Sequence, residues 1–187
     1  MEKDSLQVII NELDTYSPKV SAGQINDLAG ACAAANRVFI AGAGRSGFAA
    51  RGFSNRLMHL GMTAYFVGDS TTPSIQAGDL LVIGSGSGTT DSLVANARKA
   101  KKAGAKIATI TIFPEAEIGS MADVVVKIPG ATPKKSEGEA DSAVSVQPMG
   151  SLFEQLSWLV YDSTILNLMK ITGETSDTMY PRHANLE

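Results

Sequence analysis

Cysteine, histidine and tryptophan are scarce in this chain of 187 residues, which has one Cys, two His and one Trp. A single cysteine, Cys32, excludes an internal disulfide framework. It stands in a run of alanines, where a buried packing role is typical. The sequence also has no tight cluster of metal-ligating residues, so we predict that the protein needs no metal.

The chain also lacks a strong excess of charge, because its formal net charge is -3. No basic field indicates a nucleic-acid partner, and a bound anion would have to be held by local groups. No apolar run is long enough to cross a bilayer, and residues 1–4 are charged rather than apolar as in a signal peptide. We therefore expect a cytoplasmic protein that binds neither nucleic acid nor a membrane.

Apolar or β-branched runs alternate with helical segments through the middle of the chain. The predicted strands cover residues 38–41, 63–67, 79–83, 106–112 and 124–128, and the predicted helices between them cover 45–60, 91–103 and 118–121. Such alternation predicts an α/β fold, with a parallel sheet covered by helices on both faces. Ligands of such a sheet bind at the carboxyl ends of its strands.

The remaining segments complete one predicted domain over residues 1–187. Two helices in residues 1–36 precede the core units of 37–130, and a loop over 131–150 leads to a C-terminal helix and tail in 151–187. The helix predicted over 152–169 is apolar nearly all round, which is typical of a helix buried partly against another subunit. The tail over 178–187 is not predicted to be helical.

The first candidate site is the turn after the strand at 38–41. Its sequence is Gly42-Ala43-Gly44-Arg45-Ser46-Gly47. This turn matches G-x-G-x-x-G, and Asp69 follows the next strand, where an acid would bind the ribose of a dinucleotide. However, the Arg45 and Ser46 side chains occupy positions from which they can hold an anion instead.

A second polar turn follows the strand at 79–83. Its sequence is Gly84-Ser85-Gly86-Ser87-Gly88-Thr89-Thr90, and a helix follows. Glycine lets the backbone approach a ligand, and a helix start offers free N–H groups and a positive dipole end. The turn is not a P-loop, because no Lys-Ser/Thr pair follows the last glycine. Two neighbouring polar turns favour a small phosphorylated ligand over a dinucleotide by roughly two to one.

Together these turns resemble those of a sugar isomerase (SIS) domain, through Ser46, Ser85, Ser87 and Thr89. More closely, nearly the whole chain resembles the 6-phospho-3-hexuloisomerase family. The matching stretches are residues 41–47, 56–61, 83–88 and 147–155 and the ending His183-Ala184-Asn185-Leu186-Glu187. The stretch at 147–155 and the ending point to this family rather than to phosphosugar binding in general.

The resemblance implies a flavodoxin-like three-layer α-β-α sandwich with a five-stranded parallel sheet, assembled as a homotetramer. It also implies interconversion of 3-hexulose 6-phosphate and fructose 6-phosphate in the ribulose monophosphate pathway, without a cofactor. The implied substrate-binding residues are Gly44, Arg45, Ser46, Ser85, Ser87, Thr89 and Thr90. Sites shared between subunits are known among such isomerases.

Three residues are candidates for the proton transfers of such a reaction. Glu154 is the candidate general base, although Ser151 and Glu154 also match a helix capping box. His59 and His183 are candidates for ring opening or for handling hydroxyl protons. For His59 the alternative is a role at the end of its helix, next to the helix dipole. For His183 the alternative is a solvated residue of the tail.

Three other functions remain as alternatives. One is a non-catalytic phosphosugar sensor built on the same domain, although the sequence lacks a DNA-binding segment and contains Glu154. Another is arabinose 5-phosphate isomerase, whose chains commonly carry an extra regulatory module. A nicotinamide-dependent oxidoreductase is the most distant alternative.

Overall fold

A computed structural model describes residues 4–130 and 144–186, which contain five strands and seven α-helices. The strands are β1 (Val38–Gly42), β2 (Ala64–Phe66), β3 (Leu80–Gly84), β4 (Lys106–Thr111) and β5 (Val124–Lys127). The helices are α1 (Ser5–Tyr16), α2 (Ala22–Ala34), α3 (Gly44–His59), α4 (Asp91–Lys102), α5 (Glu117–Met121), α6 (Ser151–Thr172) and α7 (Ser176–Met179). Short 3-10 helices cover Ser17–Lys19 and Tyr180–Arg182. Residues 131–143, most of the predicted loop, lie outside the described residues.

The five strands form one parallel sheet in the order β2-β1-β3-β4-β5. The strand order therefore reverses between β1 and β3, which is where ligands bind in open sheets of this type. Gly42 at the end of β1 pairs with Gly84 at the end of β3. This register sets the two polar turns side by side and confirms the predicted parallel fold.

Successive residues of each strand point to opposite faces of the sheet, so each face has its own core. Val38 and Ile40 of β1 pack with buried residues of α2, α3 and α6, whereas Phe39 and Ala41 pack with those of α4 and α5. Helices therefore cover both faces, which is the predicted three-layer sandwich. Cys32 lies in the first of these cores, where burial raises the pKa of its thiol to about 12.

Helices α3 and α6 pack closely against each other where Gly52 meets Trp158. A Cβ atom added to Gly52 of α3 would lie 2.7 Å from the Cη2 atom of Trp158 in α6, so the indole lies directly over this glycine. α6 runs longer than predicted and ends at Gly173, whose φ is 73°. Part of its apolar surface is exposed in the single chain, with Leu159 45% and Leu166 59% exposed.

The C-terminal tail is more helical than the sequence predicts. Thr175 and Thr178 form a capping box at the start of α7, and a 3-10 helix follows directly. Arg182 then pairs with Glu174 at 3.0 Å, which folds the tail back on itself. Of the helices within residues 4–130 and 144–186, none combines the length and hydrophobicity needed to span a bilayer.

Candidate active site

The turn from β1 into α3 depends on glycine for two separate reasons. Gly44 has a φ of 56°, and a Cβ atom on Gly47 would lie 2.8 Å from the Gly42 carbonyl oxygen. The N-cap residue Ala43 offers no side-chain acceptor to the first amides of α3. The opening N–H groups of the helix, including those of Arg45 and Ser46, are therefore available to an anion.

The turn from β3 into α4 is held in shape by its own serines. The buried Ser85 Oγ atom accepts a hydrogen bond from the Gly88 N–H at 3.2 Å, and Ser87 Oγ accepts from the Thr89 N–H at 3.3 Å. Thr90 is the N-cap of α4 and makes no capping bond with its side chain. Ser85 therefore shapes the loop from within, whereas Ser87 and Thr89 lie nearer the surface.

Glu154 lies at the start of α6, with its carboxylate turned toward the first turn of α3. Its Oε2 atom accepts a hydrogen bond from Arg45 Nε at 2.5 Å, and this contact raises the pKa of the Arg45 guanidinium. The Glu154 side chain is only 17% exposed, compared with 67% for Arg45. The candidate base is therefore sheltered, and a largely exposed cation lies beside it.

The capping box at Ser151 and Glu154 is absent, so that alternative for Glu154 is wrong. The N-cap of α6 is Gly150, and the Ser151 hydroxyl donates instead to the Pro148 carbonyl at 2.8 Å. The Glu154 Oε2 atom instead accepts from Arg45, while its Oε1 atom would lie 3.6 Å from a Cβ atom added to Gly150.

The start of α6 also touches the second polar turn. A Cβ atom added to Gly86 would lie 3.3 Å from Phe153 Cδ1, so the glycine leaves room for this ring. Three elements therefore meet at one edge of the sheet: the start of α3, the turn over residues 84–90 and the start of α6. In such a site the neutral donors can bind an anionic group of a ligand, and the carboxylate can transfer a proton on the same ligand.

The two histidines lie together at the other end of α3. The rings of His59 and His183 stack with centroids 5.3 Å apart and an interplanar angle of 13°. His59 is buried, and its pKa is lowered by burial first and then by the charges of Arg56 and His183. Arg182 fixes the tail here by donating to the His59 carbonyl at 3.0 Å.

The structure does not bring this pair into the same site as Glu154 within one chain. α3 has 16 residues between the Gly44 end and the His59 end. An α-helix rises 1.5 Å per residue, so its two ends are about 22 Å apart. The candidate substrate-binding turns and Glu154 are brought together, whereas His59 and His183 are placed only with each other.

Asp69 is paired with a neighbouring side chain rather than left open for a ribose hydroxyl. Its carboxylate pairs with Arg51 at 2.9 Å, and the Arg51 guanidinium lies 3.9 Å from the centroid of the Phe66 ring. Both charges are therefore engaged in local structure. This pairing weighs against the dinucleotide interpretation of the first turn.

Sequence reasoning missed Tyr161, which lies beneath the two turns. A Cβ atom added to Gly84 would lie 2.6 Å from the Tyr161 hydroxyl oxygen, and this buried hydroxyl has no hydrogen-bond partner among the described residues. Burial raises the pKa of its phenol. The spacing of seven residues from Glu154, which places both on one face of α6, was the available signal.

Residues 4–130 and 144–186 contain no group of three or more His, Cys, Asp or Glu side chains arranged to hold a metal ion. The functional groups of the candidate site residues are a carboxylate, a guanidinium, hydroxyls, backbone amides and imidazoles.

The family model described as "SIS domain" matches residues 32–158. The chain belongs to the SIS domain family. The matched region contains both polar turns and Glu154, and it ends within α6.

Curated relatives extend the similarity to almost the full chain. A 3-hexulose-6-phosphate isomerase of Bacillus subtilis is 46% identical over 179 residues, covering 96% of this chain and 95% of the relative. A 3-hexulose-6-phosphate isomerase of Mycobacterium gastri is 44% identical and covers 98% of this chain and 90% of its own. The predicted resemblance to this group of isomerases is thereby confirmed.

A solved structure shows the same architecture. It is a hypothetical protein of Methanococcus jannaschii, described as having an inferred molecular function of 3-hexulose-6-phosphate isomerase. Its TM-score is 0.80 at 31% identity, with 97% of this chain and 98% of that chain covered. This likeness confirms the predicted SIS fold over the length of the protein.

Proposed function

We propose that this protein is a 6-phospho-3-hexuloisomerase, which interconverts D-arabino-hex-3-ulose 6-phosphate and D-fructose 6-phosphate. The observation that carries the proposal is the sheltered carboxylate of Glu154 beside two donor-rich turns. The names of relatives with 44% and 46% identity agree with it. A cytoplasmic location belongs to the same proposal, as does a role in either formaldehyde fixation or pentose supply.

The two polar turns bind the substrate phosphate in this proposal. The opening amides of α3 at Gly44, Arg45 and Ser46 supply neutral donors, and the hydroxyls of Ser87, Thr89 and Thr90 add to them. Ser85 contributes through the shape of its loop, because its Oγ atom already accepts from Gly88. Anchoring the phosphate at this edge places the sugar chain along the start of α6.

Glu154 then acts as the general base. It removes the proton from C2, beside the carbonyl at C3, and the electron pair forms the 2,3-enediol. The proton returns to C3 while the O2 hydroxyl proton moves to O3, which leaves the carbonyl at C2. No electron leaves the substrate, so the reaction requires no redox cofactor.

Arg45 has two partners in this cycle. In the free protein its Nε atom is 2.5 Å from Glu154, and most of its side chain is exposed. An arriving phosphosugar offers the guanidinium a second anion, and movement of Arg45 toward it releases the Glu154 carboxylate for catalysis. A positive charge near the enediolate oxygens also stabilises the charge that develops there.

In this proposal the histidines act in the site of a neighbouring subunit of a homotetramer. Because His59 and His183 lie about 22 Å from the start of α3, they reach a Glu154 carboxylate only in a neighbouring subunit. Exposed apolar side chains support association, with Phe48 of α3 70% and Leu166 of α6 59% exposed. The neighbour's imidazoles would then open the sugar ring or handle its hydroxyl protons.

The deciding experiment follows fructose 6-phosphate labelled with ¹³C at C2, by NMR, without added cofactor. We expect a 3-hexulose signal and, in D₂O, deuterium at C3 of the recovered fructose 6-phosphate. Arabinose 5-phosphate, supplied in a parallel sample, should remain unchanged. Binding of fructose 6-phosphate without product or deuterium exchange would instead support the phosphosugar sensor.

A further inference from the structure

A chain of polar side chains joins α1 to the segment that leads into α6. Gln147 Nε2 donates to Glu12 Oε2 at 2.8 Å and to Gln155 Oε1 at 2.9 Å. Gln155 Nε2 donates back to Gln147 Oε1 at 2.7 Å. We call Glu12, Gln147 and Gln155 the anchor cluster; it fastens residue 147 on both sides.

Glu12 is an unusual residue to find in such a place. Its Oε1 atom is buried and has no hydrogen-bond partner among the described residues. A buried carboxylate oxygen without a partner is costly, so the contact with Gln147 has to offset a penalty. An apolar residue would pack α1 against α6 without that cost, which indicates that the polar link itself is useful.

The segment held by the cluster is strained. Met149 has a φ of 51°, the only positive value at a non-glycine residue in the part of the chain that the structure describes. Such a conformation persists only when its surroundings hold it, and it is common beside functional sites. The Tyr16 hydroxyl, which donates to the Val144 carbonyl at 3.2 Å, adds a second tie from the end of α1.

The strained segment ends where the candidate base begins. The Glu154 N–H donates to the Gly150 carbonyl at 2.9 Å, which makes the first turn of α6 continuous with the turn at Met149. Gln155, the next residue, belongs to the anchor cluster. The rotation of this first turn about the helix axis decides where the Glu154 carboxylate points.

We propose that Glu12, Gln147 and Gln155 are positioning residues that hold the turn at Met149 and thereby fix the orientation of the Glu154 carboxylate. The inference deepens the proposed function, since it depends on Glu154 as the base. In this arrangement α1, which carries none of the candidate site residues, fixes the geometry of proton transfer through Glu12.

Hydrogen exchange measured by mass spectrometry tests the anchor without any substrate. Glu12→Ala should speed exchange in peptides that cover residues 144–155, and Gln147→Ala should do the same. Glu12→Gln keeps an oxygen acceptor for Gln147 and should remain close to the parent protein. Asp14→Ala, an exposed carboxylate on the same helix, is the matched control and should change nothing. Unaltered exchange in Glu12→Ala overturns the proposal.

Steady-state kinetics test whether the anchor cluster orients the Glu154 carboxylate. A displaced catalytic group loses rate rather than affinity, so Glu12→Ala should lower kcat by about tenfold with little change in KM. Glu12→Gln should restore most of kcat. A Glu12→Ala variant that keeps the parent kcat contradicts the positioning role. If the parent itself fails to isomerise fructose 6-phosphate, the proposed function is wrong, and the exchange measurement still decides whether the anchor exists.

Discussion

The two ends of α3 carry different chemistry. At the Gly44 end, backbone amides, hydroxyls and the Arg45–Glu154 pair lie at the carboxyl edge of the sheet. At the His59 end, two stacked imidazoles are fixed by the tail through Arg182. One end therefore offers helix-start amides beside a sheltered carboxylate, and the other offers a stacked pair of imidazoles.

If both ends of α3 act in one reaction, as proposed, a single folded chain carries the two parts of the site about 22 Å apart. A helix is too stiff to bring its ends together, so in this proposal a second subunit completes the site. Variants at either end should reduce activity, but they should differ in whether kcat, KM or stability changes. The variants below test whether the two ends of α3 act in one reaction.

The largest effect is expected at the Gly44 end, from Glu154→Gln. This change keeps the shape of the side chain and removes the base, so kcat should fall by about a thousandfold while KM stays near the parent value. Steady-state rates with fructose 6-phosphate measure both constants. Asp27→Asn, which removes one exposed negative charge on α2, is the control. If Glu154→Gln works at close to the parent rate, the base lies elsewhere, with His59 and His183 next.

A similar loss at the other end would show that both ends act in one reaction. His183→Asn should lower kcat by about a hundredfold, as for the loss of a general acid or base. After subunit exchange with Glu154→Gln, the mixture should regain activity, because hybrid sites combine an intact Glu154 from one chain with an intact His183 from another. Activity no higher than that of the separate variants would argue that the ends do not share a site.

The substrate-binding turns should show losses of affinity rather than of rate. Ser87→Ala should raise KM about tenfold, as expected for one hydrogen bond to a charged group, with little change in thermal stability.

Ser85→Ala should raise KM and, in addition, lower the free energy of unfolding by about 1 kcal/mol, because the buried Gly88 amide loses its bond to Oγ. Kinetic assays and thermal unfolding separate the two. Unchanged KM values in alanine variants of Ser46, Ser85, Ser87 and Thr89 would remove the phosphate assignment.

The smallest expected effect is the pH dependence of stability at the His59 end. Burial, Arg56 and His183 hold the pKa of His59 below its ordinary value of 6.5, and Arg182 also contacts its carbonyl. The unfolded chain therefore binds this proton more readily than the folded chain. The contribution of His59 to the free energy of unfolding should be fully present above pH 6.5. It should be lost as the pH drops toward the lower pKa of folded His59.

Denaturant unfolding between about pH 7.5 and 5.5 measures this dependence, and His59→Asn should flatten it. The same slope in His59→Asn and in the parent would assign the dependence to other groups.

The sheet was largely predictable because its signals are local. Buried parallel strands require continuous apolar runs, and the predicted run at 79–83 became β3 with a shift of one residue. The neighbouring placement of the two polar turns also followed, since parallel strands end at a common edge. The tail was harder to predict, because its fold depends on Arg182 reaching back to His59, 123 positions away.

The candidate site was predictable in its residue types but not in its pairings. The contact of Arg45 with Glu154 spans 109 positions, and that of Gln147 with Glu12 spans 135. No local pattern encodes such pairs. The separation of His59 from the substrate-binding turns, however, was readable in the sequence, because 15 steps along one predicted helix already set that distance.

The indole of Trp158, laid over Gly52, gives the protein a built-in optical reporter. It is the single tryptophan of the chain, it is 47% exposed, and it stands where α6 crosses α3. One of these helices carries Glu154, and the other carries His59 and the amides that we propose bind the substrate phosphate. Any change in their spacing on substrate binding alters the surroundings of this ring, so fluorescence emission can detect such a change in unlabelled protein.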